Sequence, residues 1–162
     1  MPSVQFVSEW VTPDRRRLVV FAPAAVQVFM KHRQRFPWQT EAGGILLGKR
    51  RGNHLEVLFA TEPMITDRRR PFFFEREVNG HATAAMEAWA TSGGTVDYLG
   101  EWHTHPQRVP VPSSFDRTEW RKLLSGRVKH SPLAALIVGT TCLHVELLCE
   151  EAQIDLKPVG PD

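Results

Sequence analysis

Two histidines one residue apart, then seven residues, a serine, two more residues and an aspartate constrain this chain more than any other feature. They lie in Gly100-Glu101-Trp102-His103-Thr104-His105-Pro106 and Pro112-Ser113-Ser114-Phe115-Asp116. In an extended strand alternate side chains point to one face, so His103 and His105 can aim the same way. Asp116 falls on what reads as the first turn of a helix, close enough to fold back toward them. A fold that uses this stretch must end a strand, turn through a loop stiffened by Pro106 and Pro112, and start a helix beside the strand end. Two imidazoles and a carboxylate leave the fourth position of a tetrahedral zinc open for water, as in catalytic rather than structural sites.

Each part also has a plainer reading. Ser113 and Asp116 fit the S-x-x-D capping box, which satisfies backbone donors at a helix start with no metal involved. A histidine pair at a strand end is often polar surface. Both features at this spacing together favour metal binding.

The rest of the chain supplies a scaffold. Short apolar runs at Val4 to Val7 and Arg17 to Phe21 read as strands, and Pro23 suits the first turn of a helix carrying Val26, Phe29 and Met30. That helix should stop before Phe36-Pro37. Gly43 to Lys49 and Leu55 to Ala60 read as strands joined by Arg51-Gly52-Asn53. Gly43 and Gly44 suggest a close backbone approach, with room for metal and substrate beside Glu41. Phe72-Phe73-Phe74 reads as a short strand burying Phe72 and Phe74, or as a substrate contact. Glu77 to Ala90 reads as a helix with Ala82, Ala85, Met86 and Trp89 as its apolar stripe. Val96 to His103 is the strand that delivers the histidines, and Ser114 to Leu124 is a helix. Leu133 to Val138 reads as a doubly buried strand with Leu143 to Leu148 as its hairpin partner. The tail after Glu151 should add one short edge strand at most. The expectation is an α/β fold with a central mixed sheet of about seven strands and about three helices.

At 162 residues the chain is expected to form one domain with a real core. Its net charge of +2 is too small to imply nucleic acid. Three basic triplets, at 15–17, 49–51 and 68–70, are diluted by nearby acids and read as solvated turns, so no nucleic-acid partner is expected. Cys142 and Cys149 sit seven apart near one strand, would face opposite sides, and are not expected to bridge. With no signal peptide and no long apolar run, a cytoplasmic protein that meets no membrane is expected. There is no H-E-x-x-H helix, deaminase P-C-x-x-C, G-x-S-x-G elbow or Walker loop.

The pattern H-x-H-x7-S-x2-D, with Glu41-Ala42-Gly43-Gly44-Ile45-Leu46-Leu47-Gly48 upstream, resembles the JAMM (JAB/MPN-type) metalloprotease signature. The likeness runs from about Glu41 to about Val138, with no motif residue missing. It implies a single JAMM-like domain over residues 1–162, with zinc as cofactor and His103, His105 and Asp116 as ligands. It further implies Ser113 as the oxyanion-stabilising group and Glu41 as the general acid/base, cleaving an amide or isopeptide bond without an acyl-enzyme. The whole-chain pattern is similar to the small JAB-domain deconjugating proteases of bacterial CBASS antiphage operons. That similarity implies a deubiquitinase-like isopeptidase whose substrate is a protein conjugated through an extended C-terminal tail, a ubiquitin-like protein or a cyclic-nucleotide synthase.

Other readings stay open. From the residues alone Glu101 competes with Glu41, because it lies two positions before His103 and shares its face on a regular strand. A JAB peptidase that processes a ubiquitin-like sulfur carrier carries the same motif. A non-catalytic interaction module pinned by zinc does too, although a structural site needs neither Glu41 nor Ser113. The remaining histidines, His32, His54, His81, His130 and His144, lack ligand spacing and are expected to be surface or core-polar groups.

Overall fold

Leu133 to Val138 has no polar residue on either face, and as a strand it demands cover on both sides. The computed structural model provides that cover. It describes residues 6–64, 67–70, 73–75, 78–125 and 131–160, with only the backbone described for 68–70, 73–75 and 78–79. Eleven strands are present among them: β1 (Glu9–Val11), β2 (Leu18–Phe21), β3 (Gly43–Arg51), β4 (His54–Ala60), β5 (Arg68–Arg70), β6 (Phe73–Glu75), β7 (Asp97–Thr104), β8 (Leu133–Val138), β9 (Leu143–Leu148), β10 (Gln153–Asp155) and β11 (Lys157–Pro158). The helices are α1 (Pro23–His32), α2 (Val78–Thr91) and α3 (Ser114–Ser125). Nine strands form one mixed sheet in the order β10-β9-β8-β7-β3-β4-β2-β1-β11, and β5 pairs with β6 separately.

The sheet has nine strands where about seven were expected. The extra ones are only two or three residues long, too short to show an alternation. The tail adds two of them, one at each outer edge of the sheet. β10 pairs with β9 and β11 with β1, and only Leu156 lies between them. A one-residue link spans about 7 Å, so the two edges meet at the tail and the sheet curls toward closure. Leu156 N–H donates to Val145 O at 2.9 Å and Val159 N–H to Glu9 O at 2.8 Å, tying both sides down. Edge strands this short, three and two residues, offer little backbone for pairing with other chains.

All six residues of β8 are buried, with Ala134, Leu136 and Val138 on one face and Leu133, Ala135 and Ile137 on the other. The first face joins the main core, where Phe29 of α1 packs edge-on against Phe21 at 5.5 Å and against Trp102 at 5.4 Å. Trp120 of α3 covers the second face. Two faces, one helix layer on each, make this an α/β arrangement. No helix among the described residues is long and apolar enough to cross a membrane.

Several local expectations shift. Phe6 and Val7 are not in a strand, and Val4, Gln5 and Phe72 lie outside the described residues. Arg68–Arg70 is strand β5 rather than a turn. Arg50 is not simply solvated either, since its guanidinium donates to Pro132 O and, at 3.3 Å, to Tyr98 O. Helix α2 is rotated from its expected stripe: Met86 and Trp89 are 72% and 50% exposed, while His81, Ala85 and Ala88 face inward. His81 sets that rotation. Its ring is wholly buried between Thr61 Oγ1 at 2.8 Å and the Asp67 carboxylate at 3.1 Å, and small alanines let the helix approach Ile45 and Leu47.

Candidate metal centre

Strand β7 carries an irregularity that decides where its side chains point. The β3 pairing jumps from Gly100 to Tyr98, leaving Leu99 as an extra residue. Gly100 adopts φ +146°, and a Cβ there would collide with the Ala134 backbone of β8. The bulge resets the alternation, so Leu99 and Trp102 both enter the main core. Glu101 and His103 then fall on the opposite face, toward α3.

Beyond the strand end, His105 N–H donates to Val138 O at 3.0 Å, which keeps the second imidazole in line. The His103 and His105 Nε2 atoms lie 3.1 Å apart. Asp116 Oδ1 is 3.3 Å from His103 Nε2, and Oδ2 is 3.2 Å from His105 Nε2. All three side chains are only 11–14% exposed. A tetrahedral ion with bonds of about 2.0–2.1 Å has ligand–ligand edges of about 3.3 Å. The two nitrogens and the carboxylate therefore converge within reach of a single ion, their ligand atoms all within 4.8 Å of one another, and the donor set fits a metal ion. On the far side of the His105 ring, Nδ1 lies 3.3 Å from Gln107 Oε1, a contact that orients the ring with Nε2 toward His103 and Asp116. Gln107 had no signature in the sequence.

The capping box and the metal cluster turn out to share residues. Asp116 N–H donates to Ser113 Oγ at 3.1 Å, and Ser113 N–H donates to Asp116 Oδ2 at 2.8 Å. The cap aims the Asp116 carboxylate at the histidines. The next residue anchors the helix, since Arg117 donates to the fully buried Glu146 at 3.1 Å. His144, Glu146 and Asp155 form a second carboxylate–imidazole group, but the Arg117 cation already occupies Glu146.

Glu41 lies two residues ahead of β3, whose Gly43 pairs with His103. It is 5% exposed. The Gly43–His103 pairing and the bond from Thr104 N–H to Ala42 O at 2.9 Å set its segment against the histidine strand. Burial pushes its carboxyl up to about 8, while the His105 charge pulls it down and the Asp116 charge pushes it up. Glu101 shares the His103 face as expected, and Tyr98 Oη lies 3.5 Å from its carboxylate. The glycine expectation needs correcting at Gly44. A Cβ there would meet Thr61 and, at 2.9 Å, the Trp102 indole nitrogen, which donates to Thr61 O at 3.0 Å. That space belongs to packing, not to substrate. The histidines outside the cluster divide as structural groups: His81 is core-polar, His144 pairs with Glu146, His32 with Glu62, His54 accepts from Leu18 N–H, and His130 lies outside the described residues.

Charge coupling in the cluster gives the metal-free protein a pH signature. Burial would lower His105, but the hydrogen bond and charge of Asp116, helped by Glu41, outweigh it and raise the imidazole above its ordinary 6.5. Burial would raise Asp116, but both histidines hold it well below the usual carboxylate range. Raised groups favour the fold below their unfolded values and lose that contribution as pH climbs through the folded ones. For Glu41 this window runs from 4.5 to about 8, and for His105 it opens at 6.5. The metal-free protein should therefore lose at least about 3 °C in Tm between pH 5.5 and 8.5, read by calorimetry in chelator. A flat or rising Tm would show that these two groups are not held as described.

The family model described as prokaryotic homologs of the JAB domain matches residues 22–150. The chain belongs to the prokaryotic JAB-domain family. Among curated JAB relatives, a Pseudomonas aeruginosa protein named CD-NTase/cGAS isopeptidase is 41% identical over 145 residues, covering 90% of this chain and 92% of that one. A Vibrio cholerae protein of the same name is 39% identical, covering 75% and 76%. The fold also matches a solution structure from Desulfitobacterium hafniense with a TM-score of 0.62 at 21% identity, covering 88% of this chain and 91% of that one.

Proposed function

We propose that this JAB-domain chain is a zinc-dependent isopeptidase that hydrolyses the amide joining a protein C-terminus to its conjugated amine. The observation that carries the reading is a buried carboxyl, Glu41, in a segment bonded to the histidine strand, beside two imidazoles and a carboxylate that converge on one point. His103, His105 and Asp116 would hold the zinc. When bound, zinc supplies Lewis acidity and lowers the pKa of coordinated water from about 15.7 to near 7. Glu41, in low-dielectric surroundings, accepts the proton of the attacking water and returns it to the leaving amine. The Ser113 oxygen already accepts the Asp116 N–H, so its own O–H remains to donate to the developing oxyanion.

The substrate class rests on two supports. The relatives are named isopeptidases of a CD-NTase, which points to a conjugated cyclic-nucleotide synthase and hence to antiphage signalling. Exposed apolar side chains also flank the site. Phe36 and Trp38 stack at 4.8 Å in the segment that leads into Glu41, and Val109, Val111 and Phe115 stand exposed between His105 and Asp116 or beside it. Such shoulders suit a protein tail rather than a small polar ligand. Two free thiols fit a cytoplasmic setting.

The test is cleavage of a fusion bearing the C-terminal tail of a cyclic-nucleotide synthase linked to an amine, with the cut located by mass spectrometry. Cleavage after the terminal residue, abolished by chelator and restored by zinc, is expected. Efficient digestion of unrelated unfolded proteins, or no cleavage by zinc-loaded protein of this or a ubiquitin-like conjugate, would reject the reading.

A further inference from the structure

Thr104 sits between the two histidines, and the strand alternation turns its side chain away from them into the core. It is 0% exposed. Its Oγ1 accepts the Ala42 N–H at 2.9 Å and donates to Gln34 Oε1 at 2.8 Å. Gln34, just past the end of α1 and 1% exposed, in turn donates from Nε2 to Gln39 O at 2.8 Å. The backbone N–H of Thr104 donates to Ala42 O at 2.9 Å. These bonds grip residues 39 and 42, and Glu41 lies inside the span they close. Glu41 itself lies two residues ahead of β3.

We propose that Thr104 and Gln34 are positioning residues: a buried polar strut that ties the Glu41 segment to the strand presenting His103 and His105. The strut rests on the reading of Glu41 as the proton carrier. A buried hydroxyl and amide are costly unless satisfied, and an apolar pair would fill this space with less risk. What the polar pair adds is a fixed geometry. One residue, Thr104, thereby sets both the strand that carries the ligands and the distance from them to the carboxylate. Misplacing a reacting group by about 1 Å costs on the order of 10²-fold in rate, which is the scale the strut controls.

Thr104→Val removes the hydroxyl at nearly constant size. It should lower kcat about 10–100-fold with KM changed less than about twofold, since it displaces the carboxyl and not the bound tail. Zinc content should stay equimolar, and Ala42 amide exchange, measured in the metal-free protein, should accelerate. Thr104→Ser should restore kcat to within about threefold, because it returns the Oγ. Near-parental kcat in Thr104→Val alongside an inactive Glu41→Gln would overturn the strut while leaving Glu41 in its role. Loss of zinc in Thr104→Val would assign the residue to the histidine strand alone and also overturn it. Normal turnover in Glu41→Gln would remove the reading underneath, and the strut with it. Should Thr104→Val fail to fold, Gln34→Met breaks the strut from the α1 side; the same drop in kcat is expected, and undiminished kcat refutes it.

Discussion

Glu41→Gln is expected to fold, to hold one zinc per chain, and to lose about 10²–10⁴-fold in kcat, the range for removing a general acid–base group. The substitution keeps shape and polarity but cannot carry a proton. KM on the conjugate should move little, because Glu41 is 5% exposed and has almost no surface to offer a bound tail. The same variant has a second readout. With the raised carboxyl gone, the metal-free protein should lose part of its fall in Tm toward alkaline pH. Turnover near the parental rate in Glu41→Gln, with an inactive Glu101→Gln, would transfer the proton-carrying role to Glu101.

Asp116→Ala should abolish both zinc binding and turnover, and its comparison with His105→Ala separates two duties held by one carboxylate. Asp116 contacts both Nε2 atoms and also accepts the Ser113 N–H at the start of α3. His105→Ala removes a ligand but leaves that cap. Measured without metal, Asp116→Ala should therefore be the less stable variant by about 1 kcal/mol, the usual worth of a cap, or about 2–4 °C in Tm. Metal analysis and thermal melts of the two variants settle it. Equimolar zinc in Asp116→Ala would show that the cap is the carboxylate's only task.

Much of the cluster was legible because it is local. The period of two along a strand and the first turn of a helix are properties of short segments, so H-x-H and S-x-x-D already specify where three side chains point. The two competing readings of Ser113 and Asp116 proved compatible, since the cap orients the carboxylate that faces the histidines. The doubly buried β8 was equally legible, as six consecutive apolar residues leave a strand no solvent face.

Other features depend on partners far away in the chain. The depth at which Glu41 sits follows from packing around a segment outside any strand, and composition carries no trace of it. Gln34 was a lone polar residue after a helix until Thr104, 70 positions on, met it in the core. Helix α2 offered Met86 and Trp89 as its apolar face, yet His81 turned them outward by binding Thr61 and Asp67. Leu99 and Trp102 share a core face only because Gly100 bulges against β8. The tail strands, residues 153–155 and 157–158, reached both edges of the sheet, where pattern suggested one short strand at most. In each case the energy comes from a contact between distant segments, and a window of neighbouring residues holds half of every such pair.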